Sequence, residues 1–298
     1  MSGNTAFVFP AFITSFTLKE LNFLNTNEMD LNQYIQRASN TLNIDLPNFD
    51  YDTDFYKKDE LLSQVIAYTF SCAFSDLLSK KDIQPDYVAG YSMGVYASLY
   101  STGAIGFEGG IKVILKAFQL VYELSPTGKF GMGAIIGLSF NDIRDIIIKN
   151  NLDIEIININ NERSIVVAGV KSDIMLLLDK AQSEGAFSVS ELTVNTPYHS
   201  KYLKQYSDRF NSFISGVDIS DTKIPIISTY DQREIHSASE IKKELVYNLT
   251  EKINWYKTMQ KMIEKHVSVF YECGAGKDLT KIARFIEGDY KIKSVYKI

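Results

Sequence analysis

Gly90-Tyr91-Ser92-Met93-Gly94 fits the pattern G-x-S-x-G. Small residues at its two ends allow a strand to turn sharply into a helix, because larger side chains would collide there. The turn sets a serine hydroxyl at a helix N-terminus, where backbone N–H groups and the helix dipole favour an oxyanion. The chemistry this suggests is nucleophilic attack on an acyl carbon. Taken alone, the five residues also fit a tight turn whose serine only caps the helix. A serine nucleophile needs a base, and the chain holds three histidines, His199, His236 and His266. His236 lies in the polar run 231–237, which reads as a solvated loop. His266 follows the helical segment Tyr256–Lys265 and suits a helix C-terminus. His199 sits in Asn195-Thr196-Pro197-Tyr198-His199-Ser200 and is the remaining candidate. Cys72 and Cys273 are too few for a disulfide framework or a cysteine-rich zinc site.

The surrounding patterns must position these residues. A short apolar run, Ala6–Phe9, closed by Pro10, predicts a first strand. Residues 59–78 carry apolar positions at helical spacing, Tyr87–Ala89 reads as a buried strand, and helices are predicted over Met93–Tyr100 and Phe107–Leu124. The middle of the chain then reads strand (Met132–Leu138), helix (Asn141–Lys149), strands (Ile154–Ile159 and Ile165–Ala168), helix (Ser172–Ser183) and strand (187–194). The two central strands are joined by the polar turn Asn160-Asn161-Glu162-Arg163. This β-α-β-β-α-β order is that of a ferredoxin-like unit. Further strands follow at Pro225–Ser228 and Ser268–Glu272. The fold expected is therefore α/β: a large α/β-hydrolase-like body over 1–129 and 197–298, with an inserted ferredoxin-like (α+β) subdomain over 130–196. His199 falls where the insertion returns to the body, so its loop can face an interdomain cleft.

Composition limits the function classes. Hydrophobic residues are 45% and charged residues 22% of 298, as in a globular protein with a large core. A net charge of −5 argues against a nucleic-acid footprint. The first residues lack a basic n-region and Pro10 cuts their apolar run, and no stretch is read as long enough to span a bilayer. The expectation is a soluble, cytoplasmic monomer that binds neither membrane nor metal. Gly274-Ala275-Gly276-Lys277 lacks the spacing of a phosphate loop and reads as a strand-to-helix turn.

The chain resembles the malonyl-CoA:acyl-carrier-protein transacylases, a family that includes the acyltransferases of polyketide synthases. Six blocks carry the resemblance in order: Phe7-Val8-Phe9-Pro10, the Gly-Tyr-Ser-Met-Gly elbow, Gly131–Leu138, Ser164–Gly169, Pro197-Tyr198-His199-Ser200 and Tyr271–Leu279. The resemblance implies the ferredoxin-like insertion and a Ser92–His199 dyad. It further implies an oxyanion hole from the backbone N–H groups of Met93 and Phe12, and a backbone carbonyl near Asn248 that orients the histidine. Asn160 matches a position near the acyl pocket. No resident cofactor is implied, since the phosphopantetheine arrives on acyl carrier protein or coenzyme A. Acyl carrier protein and an acyl-CoA or acyl-carrier thioester are the partners expected. Lys201 and Lys204, close to His199, could meet either, or simply face solvent.

Three departures bear on the substrate. The loop after the first strand reads Pro10-Ala11-Phe12-Ile13 where the family has Pro-Gly-Gln-Gly. Tyr91 replaces the family's histidine before the serine and would cap that end of the pocket. The arginine that pairs with a malonyl carboxylate is replaced by Ala117, with Lys116 beside it pointing about 100° away. Phe118, Tyr122, Tyr91 and Phe12 suggest an apolar pocket, or ordinary core packing. The expectation is an acyl-serine enzyme acting on carrier-protein or coenzyme A thioesters, with malonyl disfavoured. Acyl-thioester hydrolysis, malonyl transfer through an unusual pocket, an esterase with an acidic third member, and a non-catalytic carrier-protein-binding partner remain the alternatives.

Overall fold

The structure, a computed structural model, describes residues 3–11, 18–46, 59–124, 128–192 and 196–297. Its elements begin with β1 (Asn4–Phe9), α1 (Leu18–Thr26), α2 (Leu31–Leu42), α3 (Glu60–Lys80), β2 (Tyr87–Gly90), α4 (Gly94–Ser101) and α5 (Phe107–Leu124). Then come β3 (Phe130–Ile136), α6 (Phe140–Lys149), β4 (Ile154–Asn161), β5 (Ser164–Val170), α7 (Lys171–Ser183) and β6 (Ser188–Leu192). The chain continues with α8 (Ser207–Ser215), β7 (Ile226–Ile227), β8 (Glu234–Ile235), α9 (Ala238–Thr250), α10 (Trp255–Glu264), β9 (Val267–Glu272), α11 (Asp278–Ala283) and β10 (Lys291–Ser294).

The body is a six-stranded sheet in the order β10-β9-β1-β2-β7-β8, parallel except for the edge strand β8. Residues Ala6, Phe7, Val8 and Phe9 of β1 are all fully buried. Unbroken burial is what a central parallel strand covered on both faces requires. One core cluster fills the face carrying Phe7 and Phe9; another, around Trp255, fills the face carrying Ala6 and Val8. The C-terminal ends of β1, β2 and β9 meet at one edge, where open α/β sheets place their sites.

The second sheet has the order β4-β5-β3-β6 with every neighbour antiparallel, and α6 and α7 complete the ferredoxin-like unit. It is tied to the body by a bridge between Asn158 and Ile253 and by the bond Ile253 N–H to the Ile157 carbonyl, 2.9 Å.

Several boundaries differ from the sequence reading. The turn between the middle strands is only Glu162-Arg163, because β4 runs on through Asn161. Asn160 and Asn161 are buried there, and the Asn161 side chain accepts from the Arg163 N–H at 2.9 Å. The run read as a solvated loop contains β8, which pairs with β7. Helix α3 corrects the statement that no apolar stretch is long enough to span a bilayer. Its 21 residues reach a mean hydropathy of 1.3 over an 18-residue window, and 89% of that window is buried. Scattered Ser and Thr hide this run from a search for unbroken apolar stretches. Here it is a core helix, buried on nearly every side.

Candidate active site

The elbow is built by close approach of backbone to backbone. A Cβ added to Gly90 would lie 2.2 Å from the Val95 nitrogen, and one added to Gly94 would lie 2.1 Å from the Phe9 carbonyl oxygen. Only glycine fits at either end of the pentapeptide. The Tyr91 N–H donates to the Phe9 carbonyl at 2.8 Å, and the Gly94 N–H donates to the Tyr91 carbonyl at 2.9 Å. Between them Ser92 adopts φ +53°, the left-handed region that side chains other than glycine rarely enter. Met93 leads into α4, so its N–H belongs to the amides left unpaired by the helix start.

His199 comes from a different part of the chain and meets this serine. Its Nε2 lies 2.6 Å from Ser92 Oγ. The imidazole is buried, 4% exposed, and its backbone also has positive φ, +59°. Its N–H donates to the Leu249 carbonyl at 3.1 Å, which docks the loop on the last turn of α9. Burial lowers the imidazole to about 4, while the Asn248 backbone acts in the opposite, raising direction. Nδ1 nevertheless has no partner of full hydrogen-bond geometry. The Asn248 contact is thus close but poorly aligned, and desolvation is the larger effect. Neither of the other histidines resembles this one. His236 and His266 are both exposed, and His236 stands 3.8 Å from Glu234.

The remaining sequence candidates divide. Tyr91 does not stand free as an apolar cap. Its hydroxyl donates to Asn160 Oδ1 at 2.9 Å and accepts from Asn158 Nδ2 at 2.5 Å. Asn158 Nδ2 also reaches Asn160 Oδ1 at 2.9 Å. The Tyr91 ring packs edge-on against Trp255, centroids 5.4 Å apart. Ala117 is 1% exposed and faces the body core from α5. Phe118 is half-buried against the body core and stacks on Tyr122, which is 61% exposed. Lys116 reaches across to the Phe213 ring, 5.9 Å from its centroid. Phe12 lies outside the described residues. Lys201 and Lys204 are engaged by Asp153 and Glu251, at 2.8 and 3.0 Å. Both lysines, with Arg144, Tyr230 and His199, line a cleft of ≈ 410 Å³ between the insertion and the body.

Two groups were missed by sequence reasoning. Asn158 and Trp255, which anchor Tyr91, carry no local motif. Glu60 and Gln64, which hold the neighbour of His199, look like ordinary helix residues until the chain is folded. Glu272, inside the last family block, accepts the N–H groups of Leu279 and Thr280, both at 2.9 Å. It caps α11, so the Gly274–Lys277 segment is a strand-to-helix turn whose helix start is already occupied by a carboxylate. Among the described residues no group of three or more His, Cys, Asp or Glu is placed to hold a metal ion.

Comparison with known proteins gives concordant results. The acyl transferase domain model matches residues 62–282. A malonyl CoA-acyl carrier protein transacylase of Staphylococcus aureus (strain COL) is 30% identical over 297 residues, covering 98% of this chain and 96% of its own length. The acyl-carrier-protein S-malonyltransferase of Burkholderia pseudomallei 1710b is 27% identical with a TM-score of 0.87, covering 98% of this chain and 96% of that one. A malonyl-transacylase solved in complex with a type II polyketide synthase acyl-carrier protein is 24% identical. It has the same fold, with a TM-score of 0.89 over 98% of this chain and 95% of that one.

Proposed function

This chain belongs to the acyl transferase family of the malonyl-CoA:acyl-carrier-protein transacylases and is an acyltransferase of that type; we propose that it works through an acyl-serine on Ser92, with His199 as the base. The observation that carries the mechanism is the 2.6 Å separation of Ser92 Oγ and His199 Nε2. A buried imidazole held near 4 is neutral at physiological pH and ready to accept the serine proton. Oγ attacks the thioester carbon, and the tetrahedral oxyanion is held by the Met93 N–H, with the Phe12 N–H as the second donor that the family resemblance implies. Collapse breaks the C–S bond, and the imidazolium returns its proton to the leaving thiolate. A second thiol then gives up its proton to His199 and attacks the acyl-serine, regenerating Ser92. In this reading the Asn248 backbone, which acts on the ring against the effect of burial, takes the place of an acidic third member. The thiols belong to the phosphopantetheine of coenzyme A and of an acyl carrier protein, the partner named for the relatives.

Two acyl classes are each favoured by a specific observation. The names of the relatives make malonyl the first group to test. Ala117, which is buried and which the resemblance puts in the place of the family's arginine, favours an uncharged acyl group instead. An arginine–carboxylate pair in a closed site is worth on the order of 2–3 kcal/mol, enough for roughly 30- to 150-fold discrimination. The charged side chain that reaches the His199 loop from α3 is moreover a carboxylate, Glu60.

Incubation with malonyl-, acetyl- and longer acyl-CoA, followed by intact mass, tests both layers. A Ser92-dependent adduct that passes to a carrier protein is the expected result. A preference for malonyl would sink the uncharged reading, and a preference for acetyl or longer groups would sink the malonyl one. Free acid released faster than transfer would make the protein a hydrolase. No adduct with any thioester would overturn the acyl-serine mechanism.

A further inference from the structure

Among the described residues no carboxylate is hydrogen-bonded to His199, and its backbone stands at positive φ. Bonds within the loop fix its shape: Tyr198 N–H to the Thr196 carbonyl at 2.9 Å and Ser200 Oγ to the Pro197 carbonyl at 2.5 Å. They do not fix where the loop stands relative to Ser92. Besides the His199 N–H bond to the Leu249 carbonyl, the Tyr198 side chain does. It is 5% exposed and enters the body core, where its hydroxyl donates to Glu60 Oε1 at 2.9 Å and accepts from Gln64 Nε2 at 3.0 Å. Gln64 Nε2 also reaches Glu60 Oε1 at 3.3 Å, so the two side chains, one turn apart on α3, form a single socket. Helix α3 packs against α4, the helix that begins at the elbow. One rigid element therefore touches the surroundings of both members of the dyad.

We propose that Tyr198, Glu60 and Gln64 are positioning residues that peg the His199 loop to α3 and so hold the Ser92–His199 separation. The proposal rests on the acyl-serine reading above. It assigns the geometric part of an acidic third member's task to a contact made one residue away from the base. The socket acts through position, so an amide in place of the Glu60 carboxylate should serve nearly as well, since its oxygen still accepts from Tyr198.

Burst acylation of Ser92 by p-nitrophenyl acetate tests this, because an activated ester needs the dyad but no particular acyl pocket. Tyr198→Phe and Glu60→Leu should each slow acylation about 10-fold with an unchanged half-saturating ester concentration, as expected for a misplaced catalytic group. Glu60→Gln should stay within about threefold of the unmodified protein. Rates equal to the unmodified protein in both Tyr198→Phe and Glu60→Leu would overturn the proposal. So would a loss confined to half-saturation, or a Glu60→Gln variant as slow as Glu60→Leu, which would make charge the cause. If Glu60→Leu does not fold, Tyr198→Phe decides alone, since it removes one oxygen and keeps the ring. An unmodified protein that forms no acetyl-Ser92 would overturn the acyl-serine reading itself, a failure visible without any variant.

Discussion

Ser92 and His199 share positive φ, and the two residues face each other across 107 positions of chain. Backbone in this region costs on the order of 1 kcal/mol per residue, so both are held by their surroundings. Burial of His199 has a consequence for pH. Its folded value, about 4, lies below the ordinary 6.5, so the unfolded chain binds the extra proton between those values. Folding stability should therefore fall by about 3 kcal/mol as pH drops from 7 to 4 through this group alone, at roughly 1.4 kcal/mol per pH unit. Urea melts of His199→Gln against the unmodified protein should show that slope missing from the variant. Acylation should likewise stay flat from pH 8 down to 5 and fall only near pH 4, whereas an acid limb near 6.5 would mean a solvated imidazole. Ser92 was legible because its signal is local, five residues with a glycine at each end. His199 was legible by elimination and by its position after the insertion. The Tyr198 socket was not, since Glu60 lies 138 residues away and no spacing announces it.

At the scale of elements, the elbow and α9 carry the site. Gly94→Ala would drive a methyl group into the Phe9 carbonyl, and the neighbour is backbone that cannot swing aside. We expect a loss on the order of 3 kcal/mol, with acylation abolished, checked by thermal melting and the ester burst. Helix α9 supplies the Leu249 carbonyl and the Asn248 backbone near its C-terminus, and Glu244 one turn earlier fixes it to the sheet. Ser228 Oγ donates to Glu244 Oε2 at 2.8 Å, and the Thr229 N–H to Oε1 at 3.3 Å. Burial raises this carboxyl to about 7, and the Asp231 charge adds to the effect against the Ser228 bond. A raised value contributes stability that is full below pH 4.5 and is lost as pH rises through 7. Its slope thus opposes that of His199 in the window where both titrate. Glu244→Gln should remove the loss contributed between pH 4.5 and about 7 and expose the His199 rise, read as melting temperature against pH. Sequence patterns located α3, α5 and the insertion because those segments are long and periodic. They missed β8, two residues in a polar run, because pairing with β7 and not periodicity makes it a strand.

At the scale of the whole molecule, the insertion is continuous with the body. The largest core cluster includes Met132, Ile157, Val166 and Ala168 of the small sheet together with Phe7 and Phe9 of the large one. The Tyr91–Asn158–Asn160 bonds and the Ile253 bridge cross the same junction. A shared core predicts one cooperative unfolding transition by calorimetry, with van't Hoff and calorimetric enthalpies equal. Two resolved transitions would mean that the sheets fold independently.

The sequence by itself carried the G-x-S-x-G elbow around Ser92, the order of strands and helices in the insertion, and the family. Each of these is written in consecutive residues or in blocks that keep their order. Only the tertiary structure decided that Tyr91 is bonded to two buried asparagines, that Tyr122 faces outward, and that α3 is buried in the core on nearly every side. It also placed the Tyr198 hydroxyl, next to His199, between Glu60 and Gln64. Those outcomes depend on which distant side chains a buried hydroxyl or ring can reach, and desolvation selects such partners only after the chain has closed around them.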